Sequence, residues 1–210
     1  MTTTARIVLA SGSARRPELL AGLGLPFEVA PTHVDESSEV RDPATLARML
    51  AERKARAGAV AQGSEATIVA ADTLVTLDGR IFGKPADAAE AVATLGALRG
   101  RTHEVISGVA VAAGGDLTSD VVVTRVTMRE YSDDEVAAYV ASGDPLDKSG
   151  AYAIQHPTFA PAASIEGCLC SVIGLPLWAL RRLLHTVAHI EASPPAFERC
   201  AACPCRAQRT

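Results

Sequence analysis

The stretch RIVLASGSARRPELL, residues 6–20, constrains the fold more than any other part of this 210-residue chain. Residues 6–10 have the length and apolar character of a buried strand, Ser11-Gly12-Ser13 breaks the run, and helical spacing then continues to about Gly22. A strand that feeds straight into a helix begins a β-α unit, and such units belong to sheets covered by helices. The rest of the chain repeats the alternation, without internal repeats or low-complexity blocks. An α/β fold is therefore expected.

Residues 27–30 read as a second short strand, followed by the polar loop HVDESSEV. Asp42-Pro43 supplies an N-cap and a proline for the first helical position, and the helix runs to about Gly63. Its apolar stripe contains Leu46, Leu50, Ala57 and Ala61, and Lys54 falls on the same stripe. That lysine either snorkels from the stripe's edge or is aimed into a cleft. Residues 67–71 form a β-branched strand ending at Asp72, and residues 74–77, Asp78-Gly79 and 80–83 give the strongest hairpin signal. A two-residue turn there pairs Leu77 with Arg80 and Val75 with Phe82, so Thr73 falls opposite Lys84 and Asp72 lies at the hairpin's open end.

Asp87 opens a helix stopped at Gly100, and residues 103–112 and 121–128 are β-rich runs joined through Gly114-Gly115 as a second hairpin. Ser132 and Glu135 fit a capping box that starts the helix containing Tyr139. After GDPLDKSGAYAIQ come an irregular stretch, a strand around 168–173 and a final helix over 176–189. Pro194-Pro195 ends the periodic part, so residues 1–190 read as the domain and 191–210 as a C-terminal tail.

Composition narrows the function classes. A net charge of −4 argues against a general nucleic-acid binder. The start MTTTARIVLA lacks a signal peptide's features, and no apolar run approaches the roughly 20 residues of a membrane span. A cytoplasmic location is expected. Five cysteines, an odd number, read as reduced thiols; Cys200, Cys203 and Cys205 have a spacing that could bind zinc if His185 or His189 completed the set.

Arg15 and Arg16 sit side by side in the first turn of a helix, beside the positive end of its dipole. An anion among them removes the conflict. Helix N-terminal N–H groups, the Ser11 and Ser13 hydroxyls and two guanidinium forks make a cradle suited to a polyphosphate. Polyphosphate chemistry needs a divalent cation held by carboxylates, for which Asp35, Glu36 and Asp72 are the candidates; Lys54 and Lys84 add positive charge for the phosphates.

SGSARR, VDE ending at Glu36, the ARxKA pattern around Lys54, AADT at 70–73, FGKP at 82–85, DKSGAYAIQ at 147–155 and VIGLPL at 172–177 occur in order. This ordered set resembles the Maf family of nucleoside triphosphate pyrophosphatases over residues 5–190. The resemblance implies a mixed twisted sheet with flanking helices in two lobes, as in inosine triphosphate pyrophosphatases, with the nucleotide in the cleft between them. It implies hydrolysis between the α- and β-phosphates with Mg²⁺ or Mn²⁺, a nucleoside triphosphate as partner rather than nucleic acid or membrane, and a homodimer. Asp72, Glu36, Lys54 and Lys84 fall at its catalytic positions, with Glu36 and Asp72 as metal ligands; Ser11, Ser13, Arg15, Arg16, Thr73 and Gln155 fall at its substrate positions. Arg16, Thr73 and Gln155 are similar to the branch acting on dTTP and UTP, and a glutamine amide can meet both donors and acceptors of a pyrimidine edge. The other readings are a branch preferring 7-methyl-GTP, a broad nucleotide-sanitising hydrolase, and a nucleotide-binding regulator of septum formation with little turnover.

Overall fold

A computed structural model describes residues 6–207. Strand β1 (Arg6–Leu9) runs into helix α1 (Arg15–Ala21), and the short strand β2 (Glu28–Val29) lies parallel to β1. Helix α2 (Pro43–Gln62) starts as its cap signal requires, with the Asp42 carboxylate accepting from Thr45 N. Next come β3 (Ala66–Leu77), β4 (Arg80–Phe82), α3 (Ala88–Leu98), β5 (Thr102–Ala113), β6 (Asp116–Met128) and α4 (Asp133–Ala141). The chain continues through β7 (Ala162–Glu166), α5 (Leu169–Ile173), α6 (Leu177–Ala188) and α7 (Glu198–Ala201). Among the described residues no helix is long and apolar enough to cross a membrane.

The strands form one mixed sheet in the order β2-β1-β3-β5-β6-β7, with β4 also pairing β3. β3 organises it. One of its sides is occupied by β5, from Ile68 opposite Ala112 to Thr76 opposite Glu104. On the other side β1 pairs only as far as Val69, and β4 pairs only from Val75 onward. Residues 70–74 therefore have no strand on that side, and the sheet opens there into a notch between two lobes.

Each lobe has its own core. One face of the β1-β3-β5 region buries Val8, Ile68, Ala70 and Ala110 against α2; the opposite face buries Val69, Val109 and Val111 with residues of α1, α5 and α6. The second lobe packs Val75, Phe82 and Val105 against α3 and α4 around Tyr131, Tyr139 and Tyr152.

Four sequence expectations change. The strand ending at Asp72 and the first hairpin strand are one continuous strand, so Asp72 lies mid-strand opposite Gly108. Of residues 168–173, Leu169–Ile173 form a helix rather than a strand, with Cys168 as its N-cap, and the strand before them, β7, lies in the stretch read as irregular. Short apolar runs fit either state, and packing between β5 and β6 on one side and the C-terminal segment on the other decides it. The buried side of α2 runs through Ala47, Leu50, Ala51, Ala55 and Gly58, not through Ala61, which is exposed. Small residues win that face because the helix lies so close to the sheet that a Cβ on Gly108 would be 2.3 Å from the Ala47 carbonyl oxygen. Finally, the segment after Ser193 docks on the core, with Cys200, Cys203 and Cys205 buried.

Candidate functional site

The notch at residues 70–74 opens into a cleft of about 940 Å³ lined by both lobes. Strand alternation sends Asp72 to the α2 face and Thr73 to the α1 face. Asp72 is 7% exposed, a placement that a carboxylate tolerates only with a partner. Lys54 is that partner. Two turns after Ala47, where Gly108 lets α2 settle onto β5, the Lys54 ammonium reaches Asp72 Oδ1 at 2.5 Å and Glu36 Oε1 at 2.8 Å. Lys54 is thus the lysine aimed into a cleft, one of the two alternatives its spacing left open.

Glu36 arrives from the loop between β2 and α2. The Lys54 hydrogen bond holds its carboxyl below the usual range, and the charges of Lys84 and Arg16 act in the same direction. Asp35 is not brought to the cleft. It is exposed, its carboxylate accepts Ser37 N at 2.9 Å, and its carbonyl accepts from Arg53. Lys84 follows β4 into the cleft wall and is exposed, without a hydrogen bond or ion pair among the described residues. The hairpin register agrees with expectation from Leu77–Arg80 to Val75–Phe82, where the ladder stops two residues short of Lys84.

The two adjacent arginines diverge. Arg16 donates from Nε to the Gly174 carbonyl at 2.8 Å, from Nη1 to Ser11 Oγ at 2.9 Å and from Nη2 to Thr73 Oγ1 at 3.5 Å. Desolvation pushes its guanidinium down from the ordinary value, while the Asp72 carboxylate opposes that shift. Arg15 turns to the other lobe, with Nη1 3.6 Å from Asp147 Oδ2. The serine turn is ordered by Ser13 N donating to Ser11 Oγ at 3.2 Å, and α1 begins without a side-chain cap. Gln155 lies exposed on the cleft wall, next to Ile154.

Several residues at the cleft carry chemistry that the sequence reading assigned no role. Ser107 is fully buried on β5 and ties Thr73 Oγ1 at 2.8 Å to the Ser171 carbonyl at 2.7 Å, which fixes the threonine's rotamer. A serine next to a glycine in an otherwise apolar strand was its signal. Lys148, 6% exposed, bonds Asp144 Oδ1 at 2.9 Å and Asp147 Oδ1 at 2.6 Å, so it braces the acid that Arg15 reaches. The i,i+4 spacing of Asp144 and Lys148 was legible. Gly174, at φ 128°, brings its carbonyl to Arg16 without a side chain in the way.

The carboxylates Glu36 and Asp72, the cations Arg15, Arg16, Lys54 and Lys84, and a hydroxyl-rich turn thus face one cavity beside the Lys148–Asp144–Asp147 group, an arrangement able to hold a polyanion together with a hard cation. The model of Maf-like proteins matches residues 6–187. Among curated proteins the chain is 43% identical over 206 residues to a dTTP/UTP pyrophosphatase of Thermomicrobium roseum, covering 94% of each chain. It is 45% identical over 183 residues to a protein of the same name from Deinococcus radiodurans, covering 87% of this chain and 93% of that one. A third of that name, from Moorella thermoacetica, is 47% identical over 182 residues, covering 85% and 93%. A family match over nearly the whole described chain, with relatives of this identity along it, places the protein in the Maf family.

Proposed function

We propose that the chain is a nucleoside triphosphate pyrophosphatase that hydrolyses dTTP and UTP to the monophosphate and pyrophosphate in the cytoplasm. The observation that carries the reading is the convergence of Glu36 and Asp72 on the Lys54 ammonium inside a cleft also lined by Arg15, Arg16 and Lys84. Two oxygen donors already directed at one positive centre fit Mg²⁺ or Mn²⁺, so Glu36 and Asp72 would hold the ion. Bound there, a divalent ion would neutralise charge developing on the phosphates.

The chain's own groups do the rest. Arg15, Lys84 and the Ser11–Ser13 turn hold the triphosphate, and Arg16 both contacts it and fixes the turn to Gly174. Lys54 would turn its ammonium from the carboxylates toward phosphate oxygens of the bound nucleotide. A water attacks the α-phosphorus and the bond to the bridging oxygen of the β-phosphate breaks. Asp72 accepts the water's proton, and pyrophosphate leaves. Thr73, locked by Ser107, and Gln155 line the region that would receive the pyrimidine. The assembly proposed with this reading is a homodimer, which light scattering of the purified chain tests.

The functional test is a pyrophosphate-release screen over ordinary, 7-methylated and other modified nucleotides with Mg²⁺ or Mn²⁺. The reading requires dTTP and UTP to lead, by kcat/KM. A preference for 7-methyl-GTP, or nucleotide binding without turnover, would replace it.

A further inference from the structure

All five cysteines meet on the side of α5 and α6, against the C-terminal segment. Cys168, Cys203 and Cys205 present sulfur atoms that all lie within 4.8 Å of one another, and each residue is buried. Cys170 and Cys200 adjoin them, with Sγ atoms 2.9 Å apart. A tetrahedral zinc–thiolate centre with bonds near 2.3 Å has sulfur–sulfur edges of about 3.8 Å, so these three sulfurs need little adjustment to meet on one ion, and one sulfur of the adjoining pair must swing in as the fourth. The sequence spacing pointed to Cys200, Cys203 and Cys205 with a histidine. The fold pairs Cys200 with Cys170 and brings Cys168 in from the core, while His185 is exposed beside Glu191.

We propose that Cys168, Cys203 and Cys205, with a fourth thiolate from the Cys170–Cys200 pair, form a closed structural zinc site that clips residues 193–207 to the domain. Zinc displaces the thiol protons as it binds. Soft sulfur donors select it over the hard cation proposed for the cleft. A closed set of four protein ligands leaves no open position, which marks a structural rather than a catalytic ion.

The docked segment carries further attachments that the clip would hold in register. Trp178 Nε1 donates to the Cys200 carbonyl at 2.9 Å, Arg182 Nη1 donates to the Cys205 carbonyl at 2.9 Å, and Ser193 N donates to the Leu23 carbonyl at 3.1 Å. A segment of this length offers little core of its own, the situation in which a metal supplies folding energy.

The test uses the full chain, purified reduced, exposed to Zn²⁺ alone and freed of excess by gel filtration. Expected are about one zinc per chain by atomic emission, thiols shielded from a thiol reagent, and a change in Trp178 fluorescence when a strong chelator removes the ion. Trp178 is the single tryptophan, so that signal reports the docked segment. The double variant Cys203→Ser/Cys205→Ser keeps the size of both buried side chains close to wild type and should hold below about a tenth of that zinc; Cys168→Ser, altered from the other side of the cluster, should do the same. Wild-type zinc content in the double variant, or a reduced wild-type chain that emerges without zinc and with all its thiols reactive, overturns the proposal.

Discussion

Gly108 carries no side chain, yet it lies opposite Asp72 on β5 and sets how closely α2 approaches the cleft. A Cβ added there would lie 2.3 Å from the Ala47 carbonyl oxygen and 2.8 Å from Arg48 N, where ordinary contact starts near 3.4 Å. Both obstacles are backbone, so Gly108→Ala must lift α2 from β5 by about 1 Å. Lys54 sits two turns further along the same helix and moves with it. A misplacement of that size can cost about 10²-fold in turnover, and overpacking of this kind costs about 1–3 kcal/mol. For a chain of this length that is a Tm lower by roughly 2–12 °C. Gly96→Ala is the matched control. Gly96 is exposed within α3 and has nothing within 4 Å of the added carbon, so there the same change should stabilise by up to about 1 kcal/mol and leave turnover alone. The assay is pyrophosphate release beside a thermal melt for both variants. A Gly108→Ala protein with wild-type Tm and kcat would refute the argument that close helix–sheet approach positions Lys54.

Arg16→Ala removes the tie between Ser11, Thr73 and Gly174 together with the phosphate contact proposed for it, and steady-state kinetics should show kcat/KM for dTTP down at least about tenfold. Gln155→Glu replaces an exposed cleft amide, so it should leave the melt unchanged and reorder the nucleotide ranking; an unaltered ranking would place base reading elsewhere. His103 is 2% exposed, bonds the Tyr152 hydroxyl at 2.7 Å, and desolvation pushes its pKa down to about 4. Because the unfolded chain binds that proton near pH 6.5 and the folded chain does not, this stability is complete above pH 6.5 and lost as pH falls toward 4. Between pH 7 and 5 the loss should be about 2 kcal/mol by denaturant unfolding, and His103→Asn should lack that share.

What the sequence made legible was local. Asp78-Gly79 set the first hairpin's register, and Gly114-Gly115, both at positive φ, set the second. Ser132 and Glu135 built their capping box as spaced. Most charged residues of the motifs were legible as a group: Arg15, Arg16, Glu36, Lys54, Asp72 and Lys84 all line one cleft, while Asp35 does not.

The misreadings came from partners distant in sequence. Asp72 looked like a strand end because a carboxylate inside a buried strand is costly, and the lysine that offsets the cost comes from a helix eighteen positions earlier. The buried face of α2 was misplaced because hydrophobicity ranks Leu46 above Ala47, whereas close approach to Gly108 selects the smaller residue. Residues 168–173 carry a pattern too short to distinguish helix from strand. The docked C-terminal segment has no periodicity at all; its carbonyls accept from the Trp178 N–H and the Arg182 guanidinium, and no hydropathy pattern records those bonds.

Asp72, paired with Lys54 in the notch of β3, is the group proposed to take the proton of the attacking water. Asp72→Asn keeps the side chain's size and hydrogen-bonding capacity and removes only its charge, while Lys54 retains Glu36. Loss of a general base typically costs about 10²–10⁴-fold. Pyrophosphate release from dTTP, measured beside a thermal melt and nucleotide binding, should show a folded variant that binds dTTP and turns over at less than about a tenth of the wild-type rate. A folded Asp72→Asn protein that keeps more than that share of kcat would exclude Asp72 as the proton acceptor.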